Sequence, residues 1–505
     1  MQFMTTRFFT FSFYITIVLL SLKPLISQNQ DMAGFSSSNY AGLSSIWLNP
    51  ANFLDSKYIQ DYHISGFHLF LENNCFYLPK QDYRFSRFFN NKAEYPTYPV
   101  SYKPTEERFY KDYYNPEDKS AFLNMKYQGL GYIFRFKRSS FGLAYNLRFL
   151  LDCEKVPYHV MKTFIEGVDF VPLHQINFNS KPYRAGILGF SEIALNYGFR
   201  LFNQGLVKTG IGINLKFLSS FAGAYIRSKT FNYVIPNDNL LRVFNLTGDY
   251  GYSFPVDRYK YRIDATEIFS RGIGGAIDIG FTYIKSGPTV FMGGSNLNFN
   301  DKSRDYRYKL GFSLIDIGFI KLNGQGHVFS FDQDTAYWLN IDSFKGKSLI
   351  HIDTNISIQF LGSPYASETG DKFNMLLPFS AVLQADINMA ENFFINATLI
   401  YGFKFNQPSI RHPLVLTLSP RYDRKEFGIF IPITFYDLSK VRLGFGLRIF
   451  NLFYAGSDNL SGLFHFKDFT GMDLYFGFKW GIIPKIGKFH RKGQIFKPNK
   501  CYKFR

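Results

Sequence analysis

Phe141 to Leu151, FGLAYNLRFLL, puts Phe141, Leu143, Tyr145, Leu147, Phe149 and Leu151 on one parity and Gly142, Ala144, Asn146 and Arg148 on the other. A period of two over eleven residues is a strand with one apolar face and one small or polar face. The pattern recurs. Ile193, Leu195, Tyr197, Phe199 and Leu201 oppose Ala194, Asn196, Gly198 and Arg200, while Ile211 to Phe217 alternate with Gly212, Asn214 and Lys216. Val441 to Ile449 alternate with Arg442, Gly444, Gly446 and Arg448.

Alternation fits both a membrane barrel and a secreted sandwich or propeller. Two features favour the barrel. The polar parity carries Gly, Ala and Asn, which suit the crowded inside of a tilted barrel, where a solvated sheet would show Thr, Lys and Glu. Connections are short on one side (137–140, 203–207, 285–288) and long on the other (73–125, 152–189, 220–270), the outer-membrane arrangement. Composition agrees: 60 Phe, 35 Tyr and 3 Trp make 19% of the 505 residues, more large rings than a soluble core uses.

Residues 1–27 read as a secretory signal peptide, with Arg7 before the apolar run Phe8 to Leu22 and a small residue at Ser27. Residues 28–60 precede the first clear strand, 61–483 hold the barrel, and 484–505 form a basic periplasmic tail. The expected fold is all-β: one transmembrane antiparallel barrel of about 14 strands, with 12–16 admissible. Strands are expected near 61–72, 126–137, 140–151, 190–202, 207–219, 271–285, 287–299, 306–320, 377–388, 392–406, 411–421, 425–435, 440–452 and 472–483. With the N-terminus in the periplasm, 321–376 falls there too. Within it Ile350, Ile352, Ile356, Ile358 and Phe360 alternate as a further strand would, pairing with 326–333. Residues 453–471 form an outer loop on this count.

Lys and Arg exceed Asp and Glu by 57 to 39, a net charge of +18, and eight of the cations crowd the tail. Export makes nucleic acid a poor partner for that charge; membrane lipid, in the Gram-negative outer membrane, is the expected surroundings. No catalytic motif, phosphate loop or metal-ligand spacing occurs, so no enzyme, cofactor or metal is expected. Cys75 and Cys153 follow strands on the outer side, where a disulfide or two thiols are both admissible.

Inward parity marks Arg148, Arg200, Lys216, Asp278, Asp386, Arg442 and Arg448 as lumen-facing, together with Arg135, Lys404 and Glu426. Charges in a barrel are either paired ties or a selectivity lining. Leu310, Phe312 and Leu314 share a parity that Ile315, Ile317 and Phe319 reverse, so a bulge is expected at Leu314. Pro432 faces inward in a strand flanked on both sides and must break the ladder there. Trp47, Asn49, Pro50 and Ala51 sit in the serine-rich leading segment, where proline makes a rigid turn. That segment cannot build its own core, so it either docks in the lumen as a plug or stays a disordered periplasmic leader.

The stretches GLSSIWLNPANF (Gly42–Phe53), GGAIDIGFTY (Gly274–Tyr283), LGFSLIDIGFI (Leu310–Ile320) and AGSDN (Ala455–Asn459) resemble an uncharacterised barrel family. That family is related to PorV and, more remotely, to FadL-type fatty-acid transporters. The FadL resemblance implies a 14-stranded barrel in which Asn49-Pro50-Ala51 belongs to an N-terminal hatch, a kinked strand gives a lateral exit, and small hydrophobic molecules pass. The PorV resemblance implies a non-conducting partner of a type IX-like secretion or surface-assembly machine. The basic tail departs from the usual barrel ending at its last strand.

Overall fold

The computed structural model describes residues 32–82, 97–100, 103–204, 206–256, 271–286, 306–333, 335–339, 348–436, 440–462, 464 and 467–484. The expected signal peptide and basic tail lie outside them. Fourteen antiparallel strands close into a barrel. They are β1 Gln60–Asn73, β2 Lys119–Phe136, β3 Ser139–Val156, β4 Tyr183–Gln204, β5 Val207–Asn237, β6 Gly272–Ser286 and β7 Tyr306–Leu322. Then come β8 Ser380–Ala390, β9 Phe393–Gly402, β10 Val415–Asp423, β11 Phe427–Tyr436 in two pieces, β12 Lys440–Ile449 in two pieces, β13 Phe453–Ser457 and β14 Gly471–Ile482. Closure is β1 on β14, with Gln60 opposite Ile482. That end is called lower here.

Two memberships differ from the sequence reading. The strand expected at 287–299 falls outside the described residues, and the ladder runs past it, because β6 pairs directly with β7. Residues 453–457, expected in an outer loop, form β13 between β12 and β14. Omitting one crossing inverts every strand until β13 restores the count. The segment 323–379 therefore lies at the upper end with the other long connections and not at the lower end.

There, residues 349–361 form an α-helix, α1, where alternation had suggested a strand. Its buried positions, Asp353, Ser357 and Phe360, are spaced four and three apart, the helical period. Gly362, at φ 75°, terminates it. Residues 327–333 instead pair with Leu240–Ser253, and Asp353 accepts hydrogen bonds from Tyr250 (2.9 Å) and Tyr252. The long loop expected over 220–270 is largely a hairpin, since β5 continues to Asn237 and turns back. This upper annex has its own core, including Val160, Phe170, Tyr233, Ile235, Phe331 and Phe360. Cys75 and Cys153 are both thiols here, and burial pushes the Cys75 thiol up to about 11.

The outward rows are apolar and open: Leu143, Ile193, Leu195, Leu215, Phe217, Ile279, Leu383 and Leu443 are all exposed. At the lower end an arc of aromatics on β14 and β1–β4 runs from Trp480 through Tyr62, Tyr132, Phe134 and Phe141 to Tyr197, with neighbouring centroids 4.5–6.4 Å apart. An apolar belt above an aromatic girdle is the exterior of a lipid-embedded barrel. Leu215→Arg is therefore expected to cost about 2–4 kcal/mol of unfolding free energy in lipid vesicles. An unchanged urea midpoint would place Leu215 outside the lipid.

Candidate functional site

Residues 32–58 run inside the barrel. Ala33–Ser36 forms one helical turn, and 3-10 turns cover Gly42–Trp47 and Asn52–Asp55, with Asn49-Pro50-Ala51 between them. Irregular backbone this deep needs partners for its carbonyls. The wall supplies them. Asn214 Nδ2 donates to Ile46 O (3.1 Å), Ser313 Oγ to Leu48 O (2.6 Å) and Asn196 Nδ2 to Pro50 O (3.1 Å). Arg135 donates to Leu54 O (2.8 Å) and Ser56 O (3.0 Å), and Arg200, half-buried at the lower rim, also reaches Leu54 O. In the other direction, Asn49 Nδ2 donates to Phe281 O (3.0 Å) on β6 and Phe312 O (3.3 Å) on β7, while its Oδ1 accepts Ala51 N (3.0 Å).

Wall glycines make room for this turn. A Cβ on Gly280 would lie 2.1 Å from Asn49 Oδ1, and one on Gly212 would lie 2.4 Å from Pro50 C. Gly42 is special for another reason: its φ is +63°, and a Cβ there would meet Asp61 Oδ2 at 2.0 Å. Asp61 accepts Leu43 N (2.7 Å) and pairs with Lys479, which itself donates to Tyr40 O and Ala41 O at 2.8 Å.

Trp47 lies beneath a fully buried charge cluster. Lys126 Nζ stands 3.9 Å over its ring and Lys216 Nζ 5.6 Å. Arg148 forks onto Asp316 (3.1 and 2.9 Å) and lies 3.5 Å from Glu192. Lys216 reaches Asp316 (2.6 Å) and Asp278 (2.8 Å). The cluster thus sets the cations Lys126, Arg148 and Lys216 against the acids Glu192, Asp278 and Asp316.

Asp316 enters through a bulge. Register between β6 and β7 shifts between Ile277 and Ile279, Asp316 has φ +58°, and its N–H donates to Asp278 Oδ1 at 2.7 Å. Consequently Leu314 keeps the outward parity, and Ile315, assigned outward by the sequence reading, turns into the core. Pro432 faces inward beside Gly34 and Gly444. The ladder loses one donor there, yet register is constant: Leu418 pairs Ile433 and Arg421 pairs Phe430.

The other expected lumen charges fall into separate groups. Asp386 pairs with Arg421 (2.6 Å) and accepts Tyr306 Oη (2.7 Å). Arg448 pairs with Asp423 (3.2 Å), which holds Ser38 Oγ and Asn39 N. Arg442 sits higher, on Glu72. Lys404 belongs to a loop, not a strand, and Glu426 is an exposed turn residue. Sequence parity missed Lys126, Glu192, Asp316, Arg421, Asp423 and Lys479. Glu192 was readable two residues before Ala194 on the same row. Among the described residues no three His, Cys, Asp or Glu side chains converge as metal ligands.

Above the leading segment the lumen changes character. Leu48 at its tip joins an apolar cluster contributed by most of the wall, including Phe122, Leu150, Phe190, Leu218, Ile315 and Val382. Phe373 and Met375, on the wall strand Phe373–Leu376 that pairs with β7 ahead of β8, join this cluster with Leu377 and Ile410.

The model of a family of unknown function, DUF5723, matches residues 50–458. No curated protein matches the chain. Among solved structures, the TodX deltaS2S3 mutant monoaromatic hydrocarbon channel is similar at TM-score 0.42 and 10% identity, covering 88% of this chain and 96% of that one. The toluene transporter TodX of P. putida gives 0.38 and 9% over 88% and 95%. A Pseudomonas aeruginosa FadL homologue gives 0.30 and 10% over 90% and 97%.

Proposed function

We propose that this chain, which belongs to the DUF5723 family, is an outer-membrane conduit for small hydrophobic molecules with residues 32–58 as its plug. The apolar cluster inside the upper half of the barrel carries the reading. A lumen that served only as a polar pore, or only as structural fill around ion pairs, has no use for Phe190, Leu218, Leu322 and Val382 on its inner wall. A hydrophobic solute leaving water gains about 25 cal/mol for each Å² of apolar surface it buries there. Below that cluster the lumen is polar and occupied, so passage requires the segment around Asn49-Pro50-Ala51 to shift. Export by residues 1–27 and a lower end facing the periplasm complete the proposal.

The test is uptake of N-phenyl-1-naphthylamine, a dye that an intact outer membrane excludes. Cells carrying the folded barrel are expected to take it up several-fold faster than cells without it. Leu218→Asp, in a barrel still heat-modifiable on gels, is expected to remove most of that gain. Equal uptake with and without the barrel would sink the conduit.

A further inference from the structure

Residues 403–414, which join β9 to β10 at the upper end, do not arch away from the barrel. They turn inward. Ile410 is 1% exposed and sits within the apolar cluster, so close to β4 that a Cβ on Gly186 would lie 2.8 Å from its Cδ1. The loop also docks on the wall strand Phe373–Leu376, which pairs with β7 ahead of β8, with Leu376 N donating to Pro408 O (2.9 Å) and Ile410 N to Leu376 O (3.3 Å).

Its other anchors lie across the mouth. β9 and β10 are the ninth and tenth strands, yet the loop is held by β3, β4 and β5. Glu154, on β3, receives Lys404 Nζ and Arg411 Nη1 from the loop, both at 2.8 Å. Arg184 on β4 steadies the same carboxylate through Nε at 2.8 Å and donates to Phe405 O at 3.1 Å. Arg227 on β5 donates to Asn406 O at 2.5 Å. One carboxylate therefore ties both ends of a strap that crosses the barrel above the apolar cluster, and its neighbour Asp152 on β3 accepts Arg411 N at 3.1 Å.

We propose that this strap is the gate of the upper mouth and that Glu154 is its latch. The inference rests on the conduit reading above. The attachment suits a gate. Ile410 packs into the apolar cluster, whereas the charge ties across the barrel converge on Glu154, and of these the Lys404 pair is 53% exposed and weakened by screening. Releasing Glu154 removes both charge ties at once and leaves hydrogen bonds from Arg184 and Arg227 and to Asp152 as the hold across the barrel, without disturbing the ladder of the wall.

Locking the strap tests it. Leu376 and Ser409 form an isolated β-bridge, and bridged neighbours stand about 4.8 Å apart, inside the ~4.4–6.8 Å Cα window of a disulfide. Leu376→Cys with Ser409→Cys is made in a chain also carrying Cys75→Ser, Cys153→Ser and Cys501→Ser. Oxidation is expected to cut naphthylamine dye uptake several-fold, and reductant to restore it. Glu154→Gln is expected to exceed the parent rate, and to speed labelling of Ile410→Cys by a membrane-impermeant maleimide. Unchanged uptake in a fully oxidised lock would overturn the gate and leave the conduit standing. A block by the lock with no effect of Glu154→Gln on uptake or labelling would overturn the latch. No uptake by any form, parent included, would remove the conduit and the gate with it.

Discussion

Gly212→Ala is expected to raise single-channel conductance several-fold while the barrel stays folded. The added carbon would stand 2.4 Å from Pro50 C and 2.5 Å from Ala51 N, both main-chain atoms that no rotamer change can move aside. The wall cannot retreat either, because Gly212 is locked between Gly198 on β4 and Gly280 on β6. What yields is the turn at Asn49-Pro50-Ala51, and with it the bond from Asn196 Nδ2 to Pro50 O. Gly275→Ala is the matched control: it lies on the neighbouring strand, and its nearest atom is Lys216 O at an ordinary 3.6 Å. Planar-bilayer recordings of the two variants decide the matter. Equal conductance in both, with heat-modifiability confirming that each is folded, would show that the segment does not obstruct the lumen.

This experiment separates what the sequence could and could not disclose. The alternation around Phe141, Leu195, Ile213 and Leu443 disclosed the wall, because a lipid-facing row must be apolar at every second residue for as long as it spans the membrane. The same rule misled at Ile350–Phe360. In α1 the apolar residues also fall at even spacing, and only the buried positions Asp353, Ser357 and Phe360 reveal the helical period. The short strand Phe453–Ser457 was hidden by the opposite defect: five residues between a tight turn and a long loop carry too little alternation to register. Glycines on the inward parity were readable as small positions, but nothing in their order shows which ones meet the Asn49 turn. That pairing is fixed by barrel closure, which brings Asn49 against β6 and β7, over two hundred residues away in the chain. Long-range partners of charge were lost for the same reason. Arg148 was legible as an inward cation; its partner Asp316 lies 168 residues on, at a bulge whose left-handed backbone breaks the parity that would have pointed to it.

Arg148→Met is expected to be the most destabilising single change in the wall. Removing one cation from the cluster leaves three acids to be balanced by Lys216, 2.6 Å from Asp316, and by Lys126, whose Nζ is 4.0 Å from Glu192. Breaking a buried pair in this way costs about 3–5 kcal/mol, because three desolvated carboxylates are left with two cations to balance them. Lys404→Met removes an ion pair too, but at the exposed strap, where the expected cost is below about 1 kcal/mol. The pair Arg148→Met with Asp316→Asn restores neutrality, so the double variant is expected to be more stable than the sum of the single losses predicts. Urea unfolding of the four proteins in lipid vesicles measures that coupling directly. Bilayer recordings supply the contrary test: if Arg148→Met leaves the unfolding midpoint in place and instead changes the cation-to-anion permeability ratio, the cluster lines an ion path and is not a structural tie. The balanced composition argues for the tie, since three cations and three acids in one buried cluster sum to no net charge with which to select an ion.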